Sequence, residues 1–299
     1  MTNDVEECSI VNNNLNPHIA KKVHEKGLPR LLDLYSKYDV RGTFYFTGTF
    51  SARYPESVQN VFDHGHEVGC HGYHHGKEYG FDVLNTKDQF LHLTKAKKII
   101  ERIVGKIEAF RAPALRIGNN TVKILEKLKF KTDSSISPQR FDGPLTFGSL
   151  RKLRWLTAPR QPYQLDYSNP FIAGKSNVLE VPLSSMLLSY QGTTMRISPE
   201  INALLGNYLY KESQKTNKPV VFLFHPTEMV TESKSNRLHK RSNNYLENLF
   251  AERIRGKIKL RNLGKSSEKL LESVLKKAIT EGHEFLSVSD IRRHKSNNL

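Results

Sequence analysis

Gly42-Thr-Phe-Tyr-Phe-Thr47 leads into an amphipathic run over 54–63 that stops at Gly65, and then into His66-Glu-Val-Gly-Cys70. The first segment is β-branched and aromatic and predicts a strand. The second predicts a helix, and the third a short strand. Two strands joined through a helix form a parallel crossover, because a tight turn can only bring the chain back antiparallel. The alternation continues outward in both directions. Upstream, Leu31, Leu32 and Tyr35 stand at helical spacing in the run 27–35. Downstream, residues 86–104 predict a helix capped by Thr86 and closed before Gly105. A strand over 107–110, a helix over 121–128 and a strand over 131–136 follow. Further strands are predicted at 178–181, 219–224 and 283–288, with helices over roughly 199–215 and 266–280. Seven or eight strands alternating with helices predict an α/β fold closed into a barrel, with its chemistry at the C-terminal strand ends.

The chain has 299 residues, 37% hydrophobic and 25% charged, which excludes a fully disordered polypeptide. We expect one barrel domain over 1–299, with excursions across its mouth at about 137–177 and 226–246. The first excursion is rich in proline and glycine, Gly143 and Pro144 among them; the second carries Arg237, Lys240 and Arg241. No apolar run reaches the roughly 18 residues of a transmembrane helix. Met1-Thr-Asn-Asp-Val-Glu-Glu7 has neither a basic nor an apolar leader segment, and two cysteines cannot build a disulfide framework. The expectation is a cytoplasmic protein with reduced thiols. The formal net charge is +16, and residues 231–299 hold 16 basic against 8 acidic side chains. This basic C-terminal segment suits an anionic neighbour or peripheral contact with a lipid headgroup surface. No aromatic interleaving accompanies the lysines, so nucleic acid is not the expected partner.

Five short motifs carry candidate chemistry. In His66-Glu-Val-Gly-Cys-His-Gly-Tyr-His-His75, His71 and His75 are four residues apart, which on a helical turn would put both rings on one face for one cation. His71 and His74 form the competing pair. Asp4 and Glu6 alternate and point the same way in an extended segment. Arg111, in Phe110-Arg-Ala-Pro113, ends a predicted strand and could hold a carboxylate bidentately. Asp133 lies within a short predicted strand. His225 follows the apolar run Phe222-Leu-Phe224, which places an imidazole at the barrel rim.

Taken in order, these motifs resemble the polysaccharide deacetylase family (carbohydrate esterase family 4, the NodB-homology domain). Asp4-Val-Glu6 resembles the branch whose first motif reads Asp-Val-Glu or Asp-Val-Asp. His71 and His75 match the His-x-x-x-His motif, Arg111 and Pro113 the Arg-x-Pro motif, and Phe224-His225-Pro226 the terminal Leu-His-Pro motif.

The resemblance implies a distorted (β/α) barrel of about seven strands and metal-dependent hydrolysis of a non-peptide carbon–nitrogen bond. The expected reaction is N-deacetylation of an amino sugar in a polysaccharide or glycan precursor. The implied metal ligands are Glu6, His71 and His75. Asp4 would be the general base and Arg111 its ionic partner; His225 would be the general acid, oriented by Asp133. Zinc is the expected divalent ion, with cobalt, manganese and nickel as alternatives. A backbone N–H, that of Tyr73 or one following Pro113, would hold the oxyanion. The substrate would be an amino-sugar or acidic glycan, including lipid- and nucleotide-linked forms. The competing readings are an amidase of a small amide or ureide and a non-catalytic basic binding protein.

Where many members carry an aromatic after Arg-x-Pro and a Trp after the fourth motif's Asp, this chain has Ala114-Leu115 and Ser134-Ser-Ile136. The sugar-stacking wall is therefore altered. Cys8 could share the face of Glu6, while Cys70 should pack in the core. Trp155 reads as a buried loop anchor or a sugar platform, and Arg154, Arg160 and Arg196 as grips for an anionic substrate or as solvated side chains.

Overall fold

The computed structural model describes residues 1–10, 14–141, 150–232 and 258–297. Parts of both predicted excursions, with Gly143, Pro144, Arg237, Lys240 and Arg241, lie outside these residues. Strands β1 (Thr2–Val5), β2 (Thr43–Phe46), β3 (Glu67–Cys70), β4 (Ala109–Phe110), β5 (Thr132–Asp133), β7 (Leu179–Glu180) and β10 (Leu223–Phe224) make one parallel sheet in the order β10-β1-β2-β3-β4-β5-β7. An antiparallel edge strand, β6 (Tyr163–Gln164), completes it, and a hairpin of β8 (Ser185–Met186) and β9 (Leu188–Ser189) lies apart. Among the described residues no ladder joins β6 to β10. The fold is thus a distorted (β/α) barrel, open between its edge strands.

β1 is central rather than peripheral. Asn3 pairs with Phe224 on one side and Phe44 on the other, so the carboxylates after it emerge in mid-sheet. The crossovers are α1 (Pro17–Lys22) and α2 (Leu28–Lys37) after β1, α3 (Gly48–Arg53) and α4 (Pro55–Asp63) after β2, α5 (Thr86–Val104) after β3 and α6 (Thr121–Lys127) after β4. Each buries an apolar stripe, as with Leu31, Leu32 and Tyr35 on α2. Helices α7 (Gly192–Ile197), α8 (Pro199–Thr216), α9 (Lys265–Thr280) and α10 (Val288–Asn297) finish the chain.

Three local expectations change. The cap of α5 is Asn85, whose side chain accepts from Asp88 N, rather than Thr86. The predicted last strand over 283–288 does not form. Ser287 and Asp290 instead exchange hydrogen bonds, Ser287 N to Asp290 Oδ2 (3.1 Å) and Asp290 N to Ser287 Oγ (3.2 Å), a capping box that opens α10. His71 and His75 lie on an irregular loop after β3, not on a helical turn.

Candidate active site and metal centre

The motif residues gather at the C-terminal ends of β10, β1, β3 and β4, neighbours or near neighbours in the sheet. Arg111 is wholly buried and is held on four sides. It donates to Asp4 Oδ1 (2.9 Å), Ser134 O (2.7 Å), Ser134 Oγ (2.7 Å) and Thr2 Oγ1 (3.1 Å). Its guanidinium also lies 4.5 Å from the Tyr45 ring centroid. Burial alone would raise the Asp4 pKa, but Arg111, with His71 and His225 behind it, outweighs that and holds the carboxyl below its ordinary value. Asp4 Oδ2 is left facing His71 Nε2 at 3.7 Å and His225 Nε2 at 3.9 Å.

The two ring histidines present defined faces. His71 Nδ1 contacts Arg111 O at 2.9 Å, and a carbonyl can only accept, so the proton sits on Nδ1 and the Nε2 lone pair points inward. His71 Nε2 is 3.8 Å from Glu6 Oε2, and burial pushes its pKa down to about 4. His75 Nε2 is 2.7 Å from the same Glu6 oxygen. It also accepts from Ala114 N at 3.1 Å, so a lone pair on Nε2 satisfies the amide and leaves Glu6 Oε2, a buried oxygen, without a hydrogen bond. A carboxylate oxygen and two imidazole lone pairs converging there are the donor set of a borderline divalent cation such as zinc. The residues therefore fit a metal. Burial lowers the His75 pKa, but Glu6 more than restores it, and Glu6 itself is held down to about 2.

Cys8 enters this geometry more closely than the sequence alone indicated. Among the described residues, Glu6, Cys8 and His75 form the group whose donor atoms all lie within 4.8 Å of one another, whereas the expected set was Glu6, His71 and His75. Cys8 Sγ is 3.4 Å from His75 Nδ1, on the far side of the ring from the nitrogen that meets Glu6. Burial, then Glu6 and Glu7, push the thiol pKa up, so it stays protonated.

Among the described residues Asp133 makes no hydrogen bond to His225. Its Oδ1 accepts from Ser135 Oγ, and it shares a buried contact with Glu180; burial raises the Asp133 pKa to about 6 and the Glu180 pKa well above its usual value. His225 Nδ1 instead meets Glu228 Oε1 at 3.3 Å. Its pKa is raised: burial opposes the charge, but Glu228, Asp4 and Glu6 overcome it. Sequence reasoning missed Glu228, although its place three residues after His225 was a usable signal.

The remaining candidates resolve simply. His74 Nδ1 accepts from Gly76 N and its ring packs on Tyr79, away from the pair. Tyr73 N donates to His92 Nδ1, away from the pair, while Ala114 N donates to His75 Nε2 within the site. Cys70 is in the core, and Trp155, 2% exposed, is a loop anchor and not a platform. Arg160 pairs with Glu212 and buried Arg196 with Glu228, so neither is a free grip; exposed Arg154 reaches Asn119 Oδ1 at 3.4 Å.

Residues 20–132 match the family model of polysaccharide deacetylases. The matched span holds His71, His75 and Arg111; Asp4, Glu6, Asp133 and His225 lie outside it. The peptidoglycan deacetylase of Helicobacter pylori is 33% identical over 118 residues, 39% of each chain. The peptidoglycan-N-acetylmuramic acid deacetylase PdaA of Bacillus subtilis is 40% identical over 107 residues, 35% of this chain and 39% of its own. The matching segment thus spans about two fifths of these relatives. In fold, a candidate polysaccharide deacetylase from Mycobacterium smegmatis superposes with a TM-score of 0.62 at 17% identity, covering 100% of this chain and 91% of its own. Puue allantoinase follows at 0.59 and 16% identity, covering 98% and 88%. No helix among the described residues is long and apolar enough to cross a membrane.

Proposed function

We propose that the protein is a metal-dependent hydrolase that removes the N-acetyl group from an amino sugar of a glycan. One observation carries this reading: the Asp4 carboxylate, pinned by Arg111, faces His225 at 3.9 Å beside the Glu6, His71 and His75 donors. Glu6, His71 and His75 would hold the ion, with zinc the first choice. When bound, a divalent cation polarises an amide carbonyl and lowers the pKa of water toward about 7. Asp4 is kept ionised and takes a proton from the attacking water at Oδ2, the oxygen not engaged by Arg111. His225, whose raised pKa favours the imidazolium, donates from Nε2 to the departing amine, an effect of about 10²–10⁴-fold. The Ala114 N–H, which donates to His75 Nε2 in this structure, would become the backbone donor for the oxyanion once that nitrogen held the ion.

The named relatives act on peptidoglycan, which supports an N-acetylated amino sugar as substrate. Lipid- or nucleotide-linked sugars fit the basic C-terminal segment. The small-amide reading draws on the rim, where Ala114, Leu115, Ser134 and Ser135 offer no aromatic face.

Acetate release from N-acetylglucosamine oligomers, muropeptides and lipid-linked precursors, with and without a chelator, tests the proposal. Chelator-sensitive release that Asp4→Asn abolishes in a folded protein is expected. Release from small ureides but no N-acetylated sugar would replace the reading with the amidase.

A further inference from the structure

Glu228 lies on the short 3-10 turn Pro226–Met229 and is 1% exposed. Its two oxygens are divided. Oε2 accepts from Arg196 Nε at 2.6 Å, and Oε1 faces His225 Nδ1 at 3.3 Å. Arg196 is equally buried and is fixed from behind, donating through Nη1 to Lys259 O (2.7 Å) and Arg261 O (2.9 Å). The same segment is tied to both residues, Asn262 Nδ2 donating to Arg196 O (2.8 Å) and Gly264 N to Glu228 O (2.9 Å). On the other side a Cβ at Gly192 would come within 2.3 Å of Glu228 Oε2, so the start of α7 lies flat against the carboxylate and closes off other positions for it.

We propose that Glu228, clamped by Arg196, is the positioning residue for His225. It keeps a proton on Nδ1 and turns Nε2 toward Asp4 and the centre. The argument is one of donors and acceptors. A carboxylate only accepts, so the ring must offer Nδ1–H to it; Arg196 only donates, so it cannot take the place of the carboxylate. The neutral ring then has its lone pair on Nε2, and the protonated ring has its second N–H there, aimed at the position of a leaving amine. Asp133, whose Oδ1 accepts from Ser135 Oγ, makes no hydrogen bond to His225 among the described residues. The inference rests on His225 as the general acid of the proposed hydrolysis. It adds that the acid's support comes from residues 259–264, distant in sequence from every motif.

Glu228→Gln is the direct test. Arg196 would draw the amide oxygen, which leaves the NH2 facing Nδ1 and forces that nitrogen to accept. The neutral ring would switch to the Nε2–H tautomer. In the full chain with 15N-labelled histidine, the His225 Nδ1 signal should move from the protonated to the unprotonated range. The kcat for acetate release from N-acetylglucosamine oligomers should fall about 10²–10⁴-fold, the share of a general acid, with KM changed less than about threefold. Because a buried guanidinium loses its counter-charge, the double variant Arg196→Gln with Glu228→Gln is measured alongside. It should regain thermal stability without regaining kcat. An unchanged Nδ1 signal in Glu228→Gln, a wild-type kcat, or recovery of kcat together with stability in the double variant would overturn the positioning role. If the unmodified protein released no acetate while the tautomer still switched, the proposed reaction would fail and the positioning of His225 would stand.

Discussion

Replacing Arg111 by Met removes a wholly buried cation and leaves Asp4 as a wholly buried anion. The structure allows the cost to be worked out. Arg111 makes four hydrogen bonds, one of them to Asp4 itself, and lies over the Tyr45 ring. Breaking a buried pair from one side costs about 3–5 kcal/mol, because the remaining charge is uncompensated. At roughly 2–4 °C per kcal/mol for a chain of this size, the midpoint should fall by about 6–20 °C. The pH dependence supplies the sign. In the wild type the depressed Asp4 pKa contributes stability present above the unfolded carboxyl value and lost as pH falls through the folded one. In Arg111→Met the raising effect of burial is opposed only by His71 and His225, so the Asp4 pKa rises, and the deficit should shrink below about pH 4 and widen as pH rises. Urea unfolding of the wild type, Arg111→Met and Arg111→Met with Asp4→Asn, at pH 4 and pH 7.5, measures this. Asp4→Asn should recover about half or more of the loss at pH 7.5. A deficit under about 1 kcal/mol, or one that the second substitution leaves untouched, would refute the pairing argument.

Three further outcomes follow from the same structure. Zinc at a hundredfold excess over its dissociation constant should add about 2.7 kcal/mol by linkage; calorimetry should show proton release on binding and weaker binding as pH falls, since Glu6 raises the pKa of His75, and His75→Ala should abolish the gain. Glu180→Gln should flatten the stability profile near pH 6, where the buried Asp133–Glu180 pair, its Asp133 pKa raised to about 6, otherwise loses stability as pH rises; a thermal-shift series from pH 4 to 8 reads this directly. His66 is buried between Tyr35 and Phe44 with neither ring nitrogen hydrogen-bonded, and burial lowers its pKa to about 4. The unfolded chain then binds the extra proton between about pH 4 and 6.5 and stability falls as pH drops through that window, so His66→Phe should be the more acid-resistant protein in guanidinium titrations at pH 5.

Much of this architecture was legible in the amino-acid order because its signals are local. The helix stripes, the glycine that ends α5 at φ 77° and the β-aromatic run of β2 are each written within a dozen residues. The order of the motifs gave the rim its candidate residues for the same reason. What could not be read depends on competition between partners. Asp133 and Glu228 are both acids near the right place, and only the buried contacts of Glu180 and Arg196 decide which one meets His225. Cys8 joins His75 through a three-dimensional approach that the Glu6–Cys8 spacing permits but does not require. The missing last strand was legible in principle: Ser287-Val-Ser-Asp290 is a helix-opening signature, and the apolar run before it drew the reading toward a strand.

β1 sits between β2 and β10, and its register partners lie some forty residues onward on one side and more than two hundred on the other. A nascent chain halted before residue 222 would already hold its histidine pair and its guanidinium, yet the acidic strand would lack one neighbour and His225 would not yet have been made. The candidate rim therefore cannot be completed until β10 has been made and paired with β1.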